Sequence, residues 1–279
     1  MVSQIYPTTL EEALHYLKKE TCHIVAGGTD LWVKHRNWAN TPPKFKRNLL
    51  YVAHLEALKG IKKENNILSI GAMTPYETIL NHPATPDILK ACLMELASPA
   101  IRHVATLAGN IANASPAADA VLVLVALDAT VEIANESGRR IKNVKDIITG
   151  PGKTTLEDDD LIVNIRIPLT PFTHTKFIKV GGRKADAISK VAFAGCANVK
   201  DGALKDFNIA LGAVNSTVVR NIPLENTYKD KPLSELKREK EAFLNALSTS
   251  IKPIDDQRSN AQYRKRVALN LVSDFIDSL

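Results

Sequence analysis

The sequence predicts an α+β fold: an α/β unit over the first fifty residues and a second α+β unit up to about residue 170, followed by a C-terminal unit of a small antiparallel sheet and helices. Three observations carry this. Short apolar segments of strand length recur at Cys22 to Ala26, Leu49 to Val52, Ile67 to Ile70, Val131 to Ile133 and Leu161 to Ile167. An amphipathic helical stretch precedes the first of them, and another helical stretch, Asp87 to Ala97, interrupts the series. Pro168 and Pro171 then mark a boundary near residue 170, because proline removes a ladder donor and restricts the residue before it.

In chain order, residues 8–20 (TTLEEALHYLKKE) read as a first helix. Thr8 or Thr9 caps it, Glu11 and Glu12 suit its positive end, and Lys18 and Lys19 suit the other. Its apolar stripe is Leu10, Ala13, Leu14 and Leu17. Cys22 to Ala26 runs as a buried strand into Gly27-Gly28, so residues 1–55 form one α/β subdomain and 56–170 a second unit. Residues 171–279 form the third part. Here Thr175 to Val180, Val191 to Val199 and Phe207 to Val214 are strands, Asp201-Gly202 is a hairpin turn, and Ser234 to Leu247 and Gln262 to Leu279 are helices.

Composition excludes several classes. Hydrophobic residues at 45% and charged residues at 24% are globular values, which rules out a largely disordered chain. The longest apolar run, Ala120 to Leu127, is far below the roughly 18 to 20 residues of a membrane-crossing helix. The N-terminus has neither a basic nor an apolar leader region, so a cytoplasmic location is expected. Cys22, Cys92 and Cys196 lie too far apart for a metal knuckle, and no two histidines have ligand-pair spacing, so no protein-bound metal is expected. The net charge of +6 is compatible with nucleic acid, an acidic partner or a phosphate-bearing ligand, but aromatics at 5% are a poor base-stacking set.

Two segments have the chemistry of a ligand site. Val25-Ala26-Gly27-Gly28-Thr29-Asp30-Leu31 follows a strand, and adjacent glycines let backbone N–H groups approach an anion such as a diphosphate; a plain Gly-Gly turn is the alternative. IRHVATLAGNIANASPAAD, residues 101–119, combines small residues with Thr, Asn, Ser and Asp, which suits a loop wrapped closely around a ligand. GPGKTT at 150–155 is not a P-loop, because Ile147 stands where the first glycine is required, and no GxGxxG follows a strand.

Together these segments resemble the two flavin-binding loops of the FAD-binding medium subunit of the molybdenum hydroxylases, the family of xanthine, carbon monoxide and nicotinate dehydrogenases. The AGGTDL signature stands at Ala26 to Leu31, and the IRN-x-x-T-x-GGN signature at Ile101 to Asn110. The resemblance continues through a GRR-type turn at Gly138-Arg139-Arg140, the GPGKTTLEDDDLIVNIRIP stretch, the FIKVGGRK and Ala187-Ile188-Ser189 segments, and the closing DQRSNAQYRKRVALNL helix. It covers nearly the whole chain in register.

The resemblance implies a PCMH-type FAD-binding domain with FAD extended between two subdomains. Val25, Ala26, Gly27, Gly28, Thr29, Asp30 and Leu31, with Thr106, Ala108, Gly109 and Asn110, would hold the diphosphate. Ser115 and Asp119 would be nearby polar partners, and Ile162 and Lys179 would border the adenine or flavin, unless Lys179 is an ordinary surface lysine. Catalysis would reside on the flavin, with no catalytic side chain. A large molybdenum-cofactor subunit and a small [2Fe–2S] subunit would be partners, NAD or another acceptor would take the electrons, and neither nucleic acid nor a membrane span is involved. Three cysteines cannot supply the four thiolates of one cluster, so the clusters and the molybdenum are expected on the partner chains.

Two departures from the pattern matter. Ala108 replaces the first glycine of GGN, placing a methyl where backbone and diphosphate would meet, and His103 replaces Asn. A competing reading is therefore a non-redox structural subunit of the same complex that has lost tight FAD binding.

Overall fold

In the computed structural model, which describes residues 2–184 and 186–279, the chain forms three main sheets and a two-stranded ribbon. The first sheet is parallel. Asn48–Tyr51 lies between Gln4–Ile5 and Cys22–Val25, and the helix Leu10–Lys19 makes the crossover that parallel strands require. That helix forms as its sequence dictates. Thr9 accepts the Glu12 N–H at 3.1 Å while Glu12 reaches back to the Thr8 N–H, and Leu10, Ala13 and Leu17 are buried.

The second sheet is antiparallel, with Leu161–Pro168 at its centre, Ile67–Gly71 and Ile61–Glu64 on one side, and Thr130–Asn135 and Gly138–Asn143 on the other. The GRR segment expected as a turn is thus the start of an edge strand, entered through Gly138 at φ 146°. The third sheet pairs His174–Val180, Val191–Lys200 and Ala203–Gly212. Its last strand begins earlier than the sequence indicates. Asp201 and Gly202, at φ 52° and 73°, make a tight turn after which pairing resumes at Ala203, although Lys205 and Asp206 interrupt the apolar pattern.

Against the third sheet lies the helix Asp119–Ala126, whose eight residues are all buried. It packs against the helix Asp87–Met94 on one side and the strands Val191–Lys200 and Ala203–Gly212 on the other. A helix with apolar residues all round is stable only when covered on every face, and this one cements the two parts of the chain. The C-terminal core adds Phe193, Phe207, Phe243 and Phe275. The stretch expected as one helix from Ser234 is two, Leu233–Arg238 and Lys240–Ser248. Between them Glu239 leaves helical geometry at φ −96° and ψ 14°, and its carboxylate accepts from Arg238 and from the Tyr228 hydroxyl. The last helix is Ala261–Ser278, capped by Asn260. Among the described residues, no helix is long and apolar enough to cross a membrane.

Candidate functional site: a glycine-walled cleft

A cleft of about 740 Å³ opens at the carboxyl end of the parallel strand Cys22–Val25, the place where α/β sheets hold ligands. Ala26, Gly27, Gly28, Thr29, Asp30 and Leu31 form one wall. Gly28 sits at φ +69°, which disfavours any side chain. Gly27 has a stronger requirement: a Cβ there would lie 1.9 Å from the Val104 carbonyl oxygen, so the turn reaches the opposite wall only because the residue is glycine. The N–H groups of Gly27, Gly28, Thr29 and Asp30 donate to no acceptor among the described residues.

The opposite wall corrects the expectation of a loop. Leu107–Asn113 is a helix, capped by Thr106, whose hydroxyl accepts the Gly109 N–H at 3.0 Å. The cap and the burial of Leu107, Ala108 and Ile111 outweigh the poor helix propensity of Gly109, Asn110 and Asn113. Thr106, Gly109, Asn110 and Asn113 face the cleft. Asn110 Oδ1 is buried and has no hydrogen-bond partner among the described residues. Ala108 does not line the cleft; it is 4% exposed and belongs to the core.

Ser115 and Asp119 lie at the head of the buried helix and also line the cleft. Asp119 accepts the Ser189 hydroxyl at 2.6 Å and pairs with Lys179 Nζ at 2.9 Å, while Lys179 also donates to the Glu95 carbonyl at 3.1 Å. Lys179 is therefore no surface lysine: its side chain is 7% exposed, and the strand it stands on is tied to the cleft floor. Val25 and Ile162 are buried outside the lining, Ile162 in the central strand opposite Ile133.

The cleft also contains residues that the sequence reading did not nominate. Lys34 Nζ donates to Asn113 Oδ1, and Asn113 Nδ2 donates to Asp30 Oδ2 at 2.9 Å, so three side chains link the two walls. Asn113 stood within the recognised segment, and Lys34 lies one helical turn beyond Asp30. Ile101 opens the recognised 101–119 segment and Ala187-Ile188 stood in the family-like stretch, whereas Ser98 and Asp186 gave no local signal. Tyr76 completes the floor; burial first, then the thiol of Cys92 and the carboxyls of Asp30 and Asp119, push its hydroxyl well above the usual range.

These features suit FAD. A diphosphate needs several backbone donors that the protein itself leaves open, and the Gly27 to Asp30 turn provides them. The orphaned Asn110 oxygen calls for a donor from a ligand, and the volume lies within the usual range of cofactor sites.

The fold and the cleft together define a PCMH-type FAD-binding flavoprotein. Residues 1–170 match the family model described as FAD binding domain in molybdopterin dehydrogenase, and residues 176–279 match the CO dehydrogenase flavoprotein C-terminal domain. The chain belongs to this family of FAD-binding medium subunits of the molybdenum hydroxylases. It is 30% identical over 275 residues to the glyceraldehyde dehydrogenase medium chain of Sulfolobus acidocaldarius, covering 95% of this chain and 93% of the relative. It is 29% identical over 265 residues to a putative xanthine dehydrogenase FAD-binding subunit of Escherichia coli, covering 92% and 88%. Among solved structures, a chain of the Cu,Mo-CO dehydrogenase superposes with a TM-score of 0.88 at 24% identity, covering 99% of this chain and 96% of that one, a likeness of fold. A chain of quinoline 2-oxidoreductase from Pseudomonas putida 86 superposes with a TM-score of 0.86 at 25% identity, covering 100% and 96%.

Proposed function

We propose that this chain is the electron-transfer subunit of a multi-subunit molybdenum hydroxylase, with FAD extended in the cleft. FAD, when bound, supplies the redox chemistry, taking electrons from [2Fe–2S] clusters of a small partner subunit and yielding them to NAD or another acceptor. The chain's own residues bind and orient. The open N–H groups from Gly27 to Asp30 and N–H donors of the Thr106–Asn110 segment hold the diphosphate, Asn110 Oδ1 accepts from a hydroxyl or N–H of the cofactor, Leu31 closes the turn, and Lys34 adds a cation beside it. Ser115 offers a hydroxyl, and Asp119 acts mainly by fixing Lys179 and Ser189 at the cleft floor. Val25, Ala108 and Ile162 act from behind, supporting the walls. Substrate hydroxylation belongs to a large molybdenum-bearing partner. In this reading the chain divides near residue 170, with subdomains of about 1–55 and 56–170 and a C-terminal domain of 171–279.

The observation that carries the reading is the coincidence, in one cleft, of unpartnered backbone donors and a buried unpartnered amide oxygen. The reading of a structural subunit without FAD rested on the Ala108 methyl, and that methyl is buried away from the cleft. The test is an absorption spectrum of the purified chain, alone and with added FAD, with mass spectrometry of what heat releases. A yellow protein releasing FAD is expected. A folded, colourless protein that takes up no FAD would overturn the proposal.

A further inference from the structure

The segment that follows the glycine turn is built unlike the rest of the surface. From Leu31 to Leu55 there are five basic residues, Lys34, Arg36, Lys44, Lys46 and Arg47, and no carboxylate. Arg47 pairs with Asp158 at 3.3 Å, but Arg36, Lys44 and Lys46 form no ion pair among the described residues. Within this basic field stand both tryptophans: Trp38 is 82% exposed and Trp32 38%, with Val33 at 57% between them in sequence. Trp32, Pro42, Pro43 and Phe45 also line a shallow groove of about 330 Å³.

The patch is physically joined to the cleft. A Cβ on Gly28 would lie 2.5 Å from the Trp32 indole, so that ring packs on the turn itself, and Phe45 meets it edge-on with centroids 5.0 Å apart. His35 stacks on Phe45 at 4.4 Å, which gives the face a rigid aromatic backing. Exposed tryptophan and arginine are the side chains that anchor protein interfaces, and an uncompensated basic field selects an acidic partner. Two further exposed apolar residues, Ile101 and Ile188, line the cleft itself and would be covered by its ligand.

Electron transfer weakens steeply with distance, so a donor protein must seat beside the cleft. We propose that residues 32–47 form the docking face for an acidic patch on the electron-donating iron–sulfur subunit, with Trp38 as anchor and Lys44 and Lys46 as steering charges. This rests on the electron-transfer reading above. The test purifies the complex through a tag on this chain, as wild type, Trp38→Ser, and Lys44→Glu with Lys46→Glu, at low and at physiological salt. Iron and [2Fe–2S] absorbance are measured per FAD. None of the three substituted residues lines the cleft, so FAD content is expected to stay unchanged. Each variant is expected to lose about tenfold or more of the retained iron–sulfur subunit, the charge-reversed one most at low salt, where charges are least screened. Variants that keep the cluster signal within about twofold of wild type overturn the docking face and leave the electron-transfer reading standing. A wild-type complex that carries FAD but no iron–sulfur subunit overturns both. Loss of a large subunit alone, or Trp38-dependent binding to phosphatidylserine vesicles with the cluster signal intact, also overturns the assignment.

Discussion

The cleft wall and the joint beneath the buried helix treat polar groups in opposite ways. At the joint, Arg220 is 4% exposed in its side chain and fully engaged: it reaches Glu225 at 3.0 Å, Asp128 at 2.6 Å and the Val125 carbonyl at 2.6 Å. Glu225 in turn accepts the Ile209 N–H at 2.8 Å, and Asn208 caps the Ala126 carbonyl at 2.7 Å. Burial pushes the Glu225 carboxyl up even though Arg220 pulls it down. At the cleft, four successive N–H groups and the Asn110 oxygen have no partner among the described residues. A buried polar group costs free energy unless paired, so the closed set marks architecture; Asn164 Oδ1 and Arg264 Nε are also buried without a partner, and Asn110 differs from them in lining a cleft beside open backbone donors that a ligand can use.

The largest test of that contrast is Arg220→Met, which leaves Glu225 buried without its partner. A loss of about 3–5 kcal/mol is expected in urea unfolding, with FAD affinity unchanged in the fraction that remains folded. A loss below about 1 kcal/mol would mean that the joint is an ordinary surface pair. Gly27→Ala comes next. Its methyl must displace the Val104 carbonyl, so about 1–3 kcal/mol of stability and most FAD binding should disappear together, read by thermal melts and FAD fluorescence.

Asn110→Ala separates the two roles. Removing an oxygen that nothing in the protein satisfies should leave stability within about 0.5 kcal/mol and weaken FAD binding about tenfold. The reverse pattern would remove Asn110 from the site. Ala108→Gly should do the opposite, costing about 0.5–1 kcal/mol of helix stability with FAD affinity unchanged. Tighter FAD binding in that variant would restore the idea that the methyl obstructs the site.

The smallest effect is acid sensitivity at Asp256. The Arg258 N–H, Arg264 and the Ser259 N–H hold its carboxyl at about 2, below its ordinary 3.8. A depressed carboxyl contributes stability that is present above 3.8 and is lost as pH falls through about 2. Asp256→Asn should flatten the unfolding profile across that window. An unchanged acid limb would assign the acid response to other carboxylates.

Much of the cleft was legible because its residues come in runs. Ala26 to Leu31 follows a strand, and Gly27-Gly28 announces a close backbone approach, though not what it approaches. The partner is the Val104 carbonyl, far along the chain. Leu107–Asn113 was hidden because Gly109, Asn110 and Asn113 weaken the helical signal locally, and the Thr106 cap with three buried neighbours restores it. The resemblance named Lys179 as a residue beside the cofactor and left a surface lysine as the alternative, which its burial against Asp119 and the Glu95 carbonyl removes.

By itself, then, the sequence determined the α+β class, the positions of most of the strands and helices it nominated to within a few residues, and the family, because periodicity, caps and contiguous motifs are local properties; the strands Ile61–Glu64 and Gly138–Asn143 and the helices Tyr76–Asn81 and Leu107–Asn113 escaped it. Only the tertiary structure decided that the Asp119–Ala126 run is a buried helix, that Ala108 faces the core, and that Lys34, Asn113 and Asp30 join the two walls. Those outcomes depend on which distant surfaces meet, and burial is settled by the partner surface as much as by the residue.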